Sequence, residues 1–132
     1  MSKKVISTSE APAAIGPYSQ AIVANGFLFC SGQIALHPES GELVGMGDIT
    51  KQTKQVMENL AAVLRAGGSS FEGIVKCGIF LESMDDFAAV NAVYATYFDG
   101  MDPPARACVA VRTLPKNVAV EVEAIALVGD GA

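Results

Sequence analysis

Val118-Ala-Val-Glu-Val-Glu-Ala-Ile-Ala-Leu-Val128 decides the kind of fold. Side chains alternate along a strand. Val118, Val120, Val122, Ala124 and Ala126 therefore share one face, and Glu121, Glu123, Ile125 and Leu127 share the other. A face that apolar demands a covering layer. The stretch before it, Ala105 to Arg112, splits likewise into Ala107, Val109 and Val111 against Arg106, Cys108, Ala110 and Arg112. Both uniformly apolar faces are expected to meet helices. If the two strands belong to one sheet, Arg106 and Glu121 then emerge together on its far face.

Two helices can supply the layer. Asp48 is placed to cap the first, which carries Ile49, Val56, Leu60, Val63 and Leu64 on one side and ends at Gly67-Gly68. Ser83-Met-Asp-Asp86 opens the second in the manner of a capping box, with Asp86 where Glu is usual, and Phe87, Val90, Tyr94 and Phe98 form its inward stripe. Upstream, Gln20 to Ala24 and Phe27 to Ile34 flank Asn25-Gly26, a pair suited to a type I′ turn. Gly32 inside the second of these strands predicts a bulge, or a group lying close to the backbone. Lys3 to Ile6 and Ile74 to Leu81 are further strands, and residues 9–17 and 37–47 are loops.

The order hairpin, helix, strand, helix, strand, strand predicts an α/β (α+β) domain spanning residues 1–132. Its mixed sheet of about six strands would carry both helices on one face. The other face, with Ile125 and Leu127 beside charges, reads as a subunit interface.

Composition removes several chemistries. The chain is 51% apolar and 17% charged, with a net charge of −5, a pI near 4.7 and nine Lys and Arg scattered along its 132 residues. Nucleic-acid binding usually needs a clustered basic footprint, so no nucleic-acid partner is expected. His37 is the only histidine, which rules out a His-rich zinc cage and leaves a Ser-His-Asp triad resting on one residue. Cys30, Cys77 and Cys108, odd in number and without a CxxC, read as reduced thiols of a cytoplasmic protein. Met1-Ser2-Lys3-Lys4 opens no apolar run long enough for a signal peptide or a membrane span.

The candidate site residues each carry two readings. Arg106 offers a planar fork that matches a carboxylate, or is simply an ion-pair partner of Glu121 or Glu123. Cys108 reads as a packed thiol before it reads as a nucleophile. Asn91 falls on the helix's buried stripe, where its amide either ties down a loop or touches a ligand. Tyr18 packs its ring or offers its hydroxyl, and His37 reads as a solvated surface side chain.

Ile15-Gly-Pro-Tyr-Ser-Gln20, Ser31-Gly-Gln33, Gln52-Thr53, Asn59, Asp86-Phe87, Val90-Asn91 and Tyr94 follow an ordered pattern. So do Pro104-Ala-Arg106, Cys108-Val109, Leu114-Pro115 and Val120-Glu-Val-Glu-Ala-Ile-Ala126. From about Val5 to Val128 the chain resembles the reactive intermediate deaminases, the Rid family, in the subfamily acting on 2-iminobutanoate and 2-iminopropanoate. The resemblance implies a chorismate-mutase-like fold, a homotrimer with clefts between subunits, and a last strand lying beside Ile74 to Leu81. It implies hydrolysis of these imines, formed from 2-aminocrotonate and 2-aminoacrylate, to a 2-oxo acid and ammonia, with no metal and no organic cofactor. By the same resemblance Arg106 clamps the substrate carboxylate and Glu121 orients a water. Cys108 lends its backbone amide, and Tyr18, Ser31, Gly32 and Asn91 line or support the cleft. Ala107 stands where many members have serine. Two other readings remain: a trimeric binding protein for small 2-oxo or short-chain acids, and a ribonuclease acting as a translation inhibitor, which the charge disfavours. The deaminase reading needs Arg106 and Glu121 to open into one crevice, walled partly by a neighbouring copy, and side chains pointed to opposite sides of the sheet would count against it.

Overall fold

The computed structural model describes residues 1–129. In chain order the elements are β1 (Lys4–Ile6), β2 (Ala21–Ala24), β3 (Phe27–Gln33), α1 (Ile49–Ala66), β4 (Ile74–Leu81), α2 (Phe87–Thr96), β5 (Ala105–Ala110) and β6 (Val120–Leu127). They build one six-stranded sheet in the order β1-β2-β3-β6-β4-β5, parallel only between β4 and β5. β3 and β4 therefore run the same way with β6 between them, and α1 and α2 are the crossovers that parallel strands require. The helices pack on each other and on one face of the sheet, and the core lies between the two layers.

Local chemistry sets the ends of these elements. Asn25 (φ 53°) and Gly26 (φ 82°) make the β2–β3 turn with two positive φ angles. Asp48 Oδ1 accepts from Lys51 N–H at 3.1 Å and opens α1. Gly68 (φ 80°) closes it, with Ser69 N–H donating to Leu64 O at 2.8 Å and Gly68 N–H to Arg65 O at 3.1 Å. Between these caps Val56, Met57, Leu60, Val63 and Leu64 are fully buried, each contributing roughly 1.5–3 kcal/mol relative to exposure. Ser83 Oγ accepts from Asp85 N–H at 3.1 Å, and one 3-10 turn (Met84–Asp86) leads into α2.

β6 lies beside β4, as the resemblance implies, so the connection from β5 is not a hairpin. Lys116 (φ 56°) and Asn117 (φ 57°) turn the chain in the left-handed region. It then passes the end of β4, where Glu82 N–H donates to Ala119 O at 3.0 Å. Three buried amides fix the neighbouring loops. Gln20 Nε2 donates to Thr8 O and Pro12 O, Asn59 Nδ2 donates to Ile34 O and Leu36 O, and Gln52 Oε1 accepts from Ala119 N–H. A buried amide must be satisfied, and these are satisfied mainly by backbone, with Met46 Sδ accepting from Gln52 Nε2 and Gln55 Nε2 donating to Asn59 Oδ1.

The face assignment holds for β6 and fails for β5. Val120, Val122, Ala124 and Ala126 are buried under the helices, with Glu121 and Glu123 on the open side. In β5, however, Arg106 and Cys108 lie on the helix side, and Ala107 and Val109 lie on the open side. The register makes this unavoidable. Arg106 pairs with Cys77, which is fully buried, whereas Val109 pairs with Phe80, the open-face partner of Glu121. β5 is the edge strand, and the rings of Phe87 and Tyr94 on α2 offer the guanidinium a seat there. The open face correspondingly keeps large apolar side chains in solvent: Phe29 is 44% exposed, Val109 48%, Leu127 49% and Val5 58%.

Candidate functional site

Two half-sites arise from this arrangement, on opposite faces of the sheet. The first is built on the free edge of β5. Arg106 Nη1 donates to Asn91 Oδ1 at 2.6 Å, and the guanidinium carbon lies 5.0 Å from the centre of the Tyr94 ring and 5.6 Å from that of Phe87. A cavity of about 400 Å³ opens beside it, walled by Tyr94, Phe98, Pro103 and Pro104. Val111 N–H donates to Leu81 O at 2.9 Å. A parallel ladder engages every second residue, so the N–H groups of Arg106, Cys108 and Ala110 point off the sheet edge. A guanidinium and an outward amide on one edge form a donor set for a carboxylate.

Cys108 lies under this edge, half-buried. Burial pushes its thiol up from the ordinary range and the Arg106 charge pulls it down. The net direction is upward, which favours the protonated and unreactive form. Cys30, pushed up to about 12 by burial and then by Cys77, is further still from a thiolate.

The second half-site surrounds Glu121. Its cavity, about 570 Å³, is lined by Ile15, Tyr18, Ser31, Gly32, Ile34 and Pro115 among others. Gly32 sits where the register shifts between Cys30 and Gln33, so the expected bulge is present. The close neighbour is present too, because a Cβ on Gly32 would overlap the Glu121 carboxylate. Ser31 Oγ donates to Ser19 O at 2.6 Å, which commits that hydroxyl to holding the 18–20 segment. Tyr18 is exposed, with its ring at the cavity. Burial, and secondarily the charge of Glu123, raise the Glu121 carboxyl above its usual range.

Gly32→Ala is accordingly expected to displace the carboxylate and to slow by about 10- to 100-fold any reaction in which that carboxylate takes part, since a misplacement of 1 Å can cost that much. The melting temperature should barely move, because the colliding group is the end of a side chain rather than backbone. Steady-state rates and a thermal melt of the same preparation check both halves of this expectation.

The structure thus groups Arg106, Asn91 and Cys108 at one place and Tyr18, Ser31, Gly32 and Glu121 at another. Within one protomer Arg106 and Glu121 do not share a crevice. β4 separates their strands, which puts them about 10 Å apart laterally as well as on opposite faces. Sequence reasoning did not assign a role to the rings of Phe87 and Tyr94 under Arg106, or to Ile15 and Pro115 as walls. The helical spacing of Phe87 and Tyr94 is the available signal, but it equally describes the inward stripe of a packed helix, and Asn91 beside them carries the loop-tie and ligand readings alike. His37 is exposed, its Nδ1 accepting from Glu39 and Ser40 N–H groups. No group of three or more His, Cys, Asp or Glu side chains able to hold a metal occurs among the described residues.

The sequence profile of the endoribonuclease L-PSP family matches residues 8–128. YyfA of Yersinia pestis, a protein of unknown function in the conserved Rid protein family, superposes with a TM-score of 0.94 at 50% identity, over 96% of this chain and all of that one. The chain belongs to the Rid family. Among its relatives, the mouse protein named 2-iminobutanoate/2-iminopropanoate deaminase is 48% identical over 127 residues, covering 96% of this chain and 93% of that protein. TdcF of E. coli, solved with bound serine, superposes with a TM-score of 0.90 at 41% identity, over 96% and 99% of the two chains. No helix of the described residues is long and apolar enough to cross a membrane.

Proposed function

We propose that this Rid protein hydrolyses small 2-imino acids, 2-iminobutanoate and 2-iminopropanoate, to 2-oxo acids and ammonia, at sites completed between copies in a homotrimer. The observation that carries the reading is the likeness over nearly the whole chain to relatives such as the mouse protein named 2-iminobutanoate/2-iminopropanoate deaminase. The guanidinium with outward amides at one sheet edge and the carboxylate of raised affinity for protons lie on opposite faces, contrary to the expectation of a single far face, so only a second copy can bring them together. Each is half of a site for an anionic imine. The apolar side chains left in solvent on the open face supply a surface for a second copy to cover. The name of the mouse relative and the amino acid bound by TdcF support the same substrate class.

The chemistry asks little of the protein. Arg106 and the Cys108 amide of one copy hold the carboxylate, which fixes the imine carbon. Glu121 of the next copy hydrogen-bonds a water and takes its proton as the oxygen adds to that carbon, while the imine nitrogen gains a proton. The resulting carbinolamine expels ammonia and leaves the carbonyl. Positioning removes the entropy of random encounter, and general base help adds about 10²–10⁴-fold.

Subunit mixing tests the reading. Arg106→Ala and Glu121→Ala should each be inactive on imine generated from threonine by a pyridoxal-phosphate dehydratase. Co-refolded in equal amounts, they should regain about a quarter of the sites if subunits mix at random. A mixture that stays dead while its mass shows mixed assemblies would refute a shared site.

A further inference from the structure

We infer that Phe87 and Tyr94 are positioning residues for Arg106: the two rings set the plane of its guanidinium, so that Asn91 takes one nitrogen and the other N–H groups face the carboxylate. The inference rests on the carboxylate-binding reading above and adds the means by which that clamp is held ready.

Phe87, Asn91 and Tyr94 occupy positions i, i+4 and i+7 of α2, hence one side of the helix. Among the described residues all three meet Arg106 and no other cation. The guanidinium carbon lies 5.0 Å and 5.6 Å from the two ring centres, both within the range where a cation is attracted to a ring face. Among the described residues Arg106 has no ion-pair partner, and Arg65–Glu10 is the ion pair found there. Neutral rings and a neutral amide orient the charge without cancelling it. A carboxylate in their place would orient it too, but would compete with the substrate. Free in solvent, a long arginine side chain samples many rotamers and loses them on binding. Seated on two rings, it has lost them beforehand.

Tyr94 carries a second indication. Its hydroxyl is buried beside the Cys77 thiol without a hydrogen bond of ordinary geometry, a cost that a phenylalanine would not carry. The ring, not the hydroxyl, is therefore the part that acts on Arg106.

The test is a binding cycle with 2-oxobutanoate as probe, read by calorimetry, together with steady-state turnover. Phe87 is only half-buried, so Phe87→Leu should remain folded. It is expected to raise both Kd and KM about three- to fivefold, the upper end for an exposed cation–ring contact, and to change kcat less than twofold. In an Arg106→Lys background the same substitution should move Kd less than twofold, because an ammonium has no plane to set. Tyr94→Leu should behave like Phe87→Leu, and Tyr94→Phe should restore the wild-type Kd. If Tyr94→Leu fails to fold, Phe87→Leu and Tyr94→Phe still decide the matter. A Phe87→Leu penalty of equal size in both backgrounds, or no penalty, overturns the inference while leaving the clamp intact. Wild-type protein that does not bind 2-oxobutanoate, or Arg106→Lys that binds it as tightly, overturns the carboxylate reading itself.

Discussion

Arg106→Lys is expected to lower kcat/KM for imine hydrolysis by about 100-fold while leaving the fold and the assembly intact. The substitution keeps one positive charge and loses geometry. A guanidinium presents five N–H donors in a rigid plane, enough to serve Asn91 and a carboxylate together. An ammonium on a shorter reach has three donors around a point and must choose. Losing one charge-assisted hydrogen bond costs about 1.5–3 kcal/mol, which is roughly 10- to 150-fold in rate or affinity. The loss of alignment falls on the same step and places the expectation toward the upper end. Because Arg106 is exposed and makes no ion pair among the described residues, the melting temperature should stay within a few degrees of the parent. Ammonia release from freshly generated 2-aminoacrylate, measured beside a thermal melt, gives the answer. Parental turnover by Arg106→Lys would mean that the carboxylate is not held there.

What the sequence made legible follows from the range of each signal. Asn25-Gly26, Asp48 and Gly68 act on backbone within a few residues, and the turn and both ends of α1 fall where those residues require. β6 was readable because one of its faces holds only Val and Ala while the other holds two glutamates. β5 was not. Alternation divides a strand into two faces without saying which is inward, and apolarity decides only when a single side of the sheet is hungry for apolar contact. Here both sides are. The open face presents Phe29, Leu127 and Val109 to solvent, and the helix side offers Arg106 two rings and an amide. The place of β6 beside β4 is likewise non-local, since a short connection after β5 suggests a hairpin until two left-handed residues carry the chain past β4.

The candidate site was legible as a set of residues and not as a place. Tyr18, Ser31, Gly32 and Glu121 do converge, as do Asn91, Arg106 and Cys108, yet the two groups meet only if another copy joins them. Other residues of the same ordered pattern do scaffold work. Gln20 holds the 8–12 loop, Asn59 holds the backbone of Ile34 and Leu36 in the cavity wall, and Gln52 fixes Ala119 two residues before Glu121. A pattern of residues shared by a family records such ties and the chemistry alike. Only hydrogen-bond partners separate them.

Glu121→Gln separates a catalyst from a binding protein. The amide keeps the volume and hydrogen-bonding length of the carboxylate over Gly32, but it cannot accept a proton. If Glu121 is the base, kcat should fall by about 10²–10⁴-fold, with the Kd for 2-oxobutanoate within about threefold of the parent, since the carboxylate is gripped at Arg106. A binding protein would show no such split. The pH profile adds a second reading of the same group. Burial, and after it the charge of Glu123, raise the Glu121 carboxyl, so the active ionised form is lost as pH falls through a pKa above the usual carboxylate range. Glu123→Gln removes the like charge and should move that acid limb to lower pH. Ionising a carboxyl whose folded pKa is raised weakens the fold above that pKa. Glu121→Gln is therefore expected to melt no lower than the parent at neutral pH, with any gain vanishing once the pH drops below the ordinary carboxylate value. Turnover that persists in Glu121→Gln would remove Glu121 from the proton-transfer step.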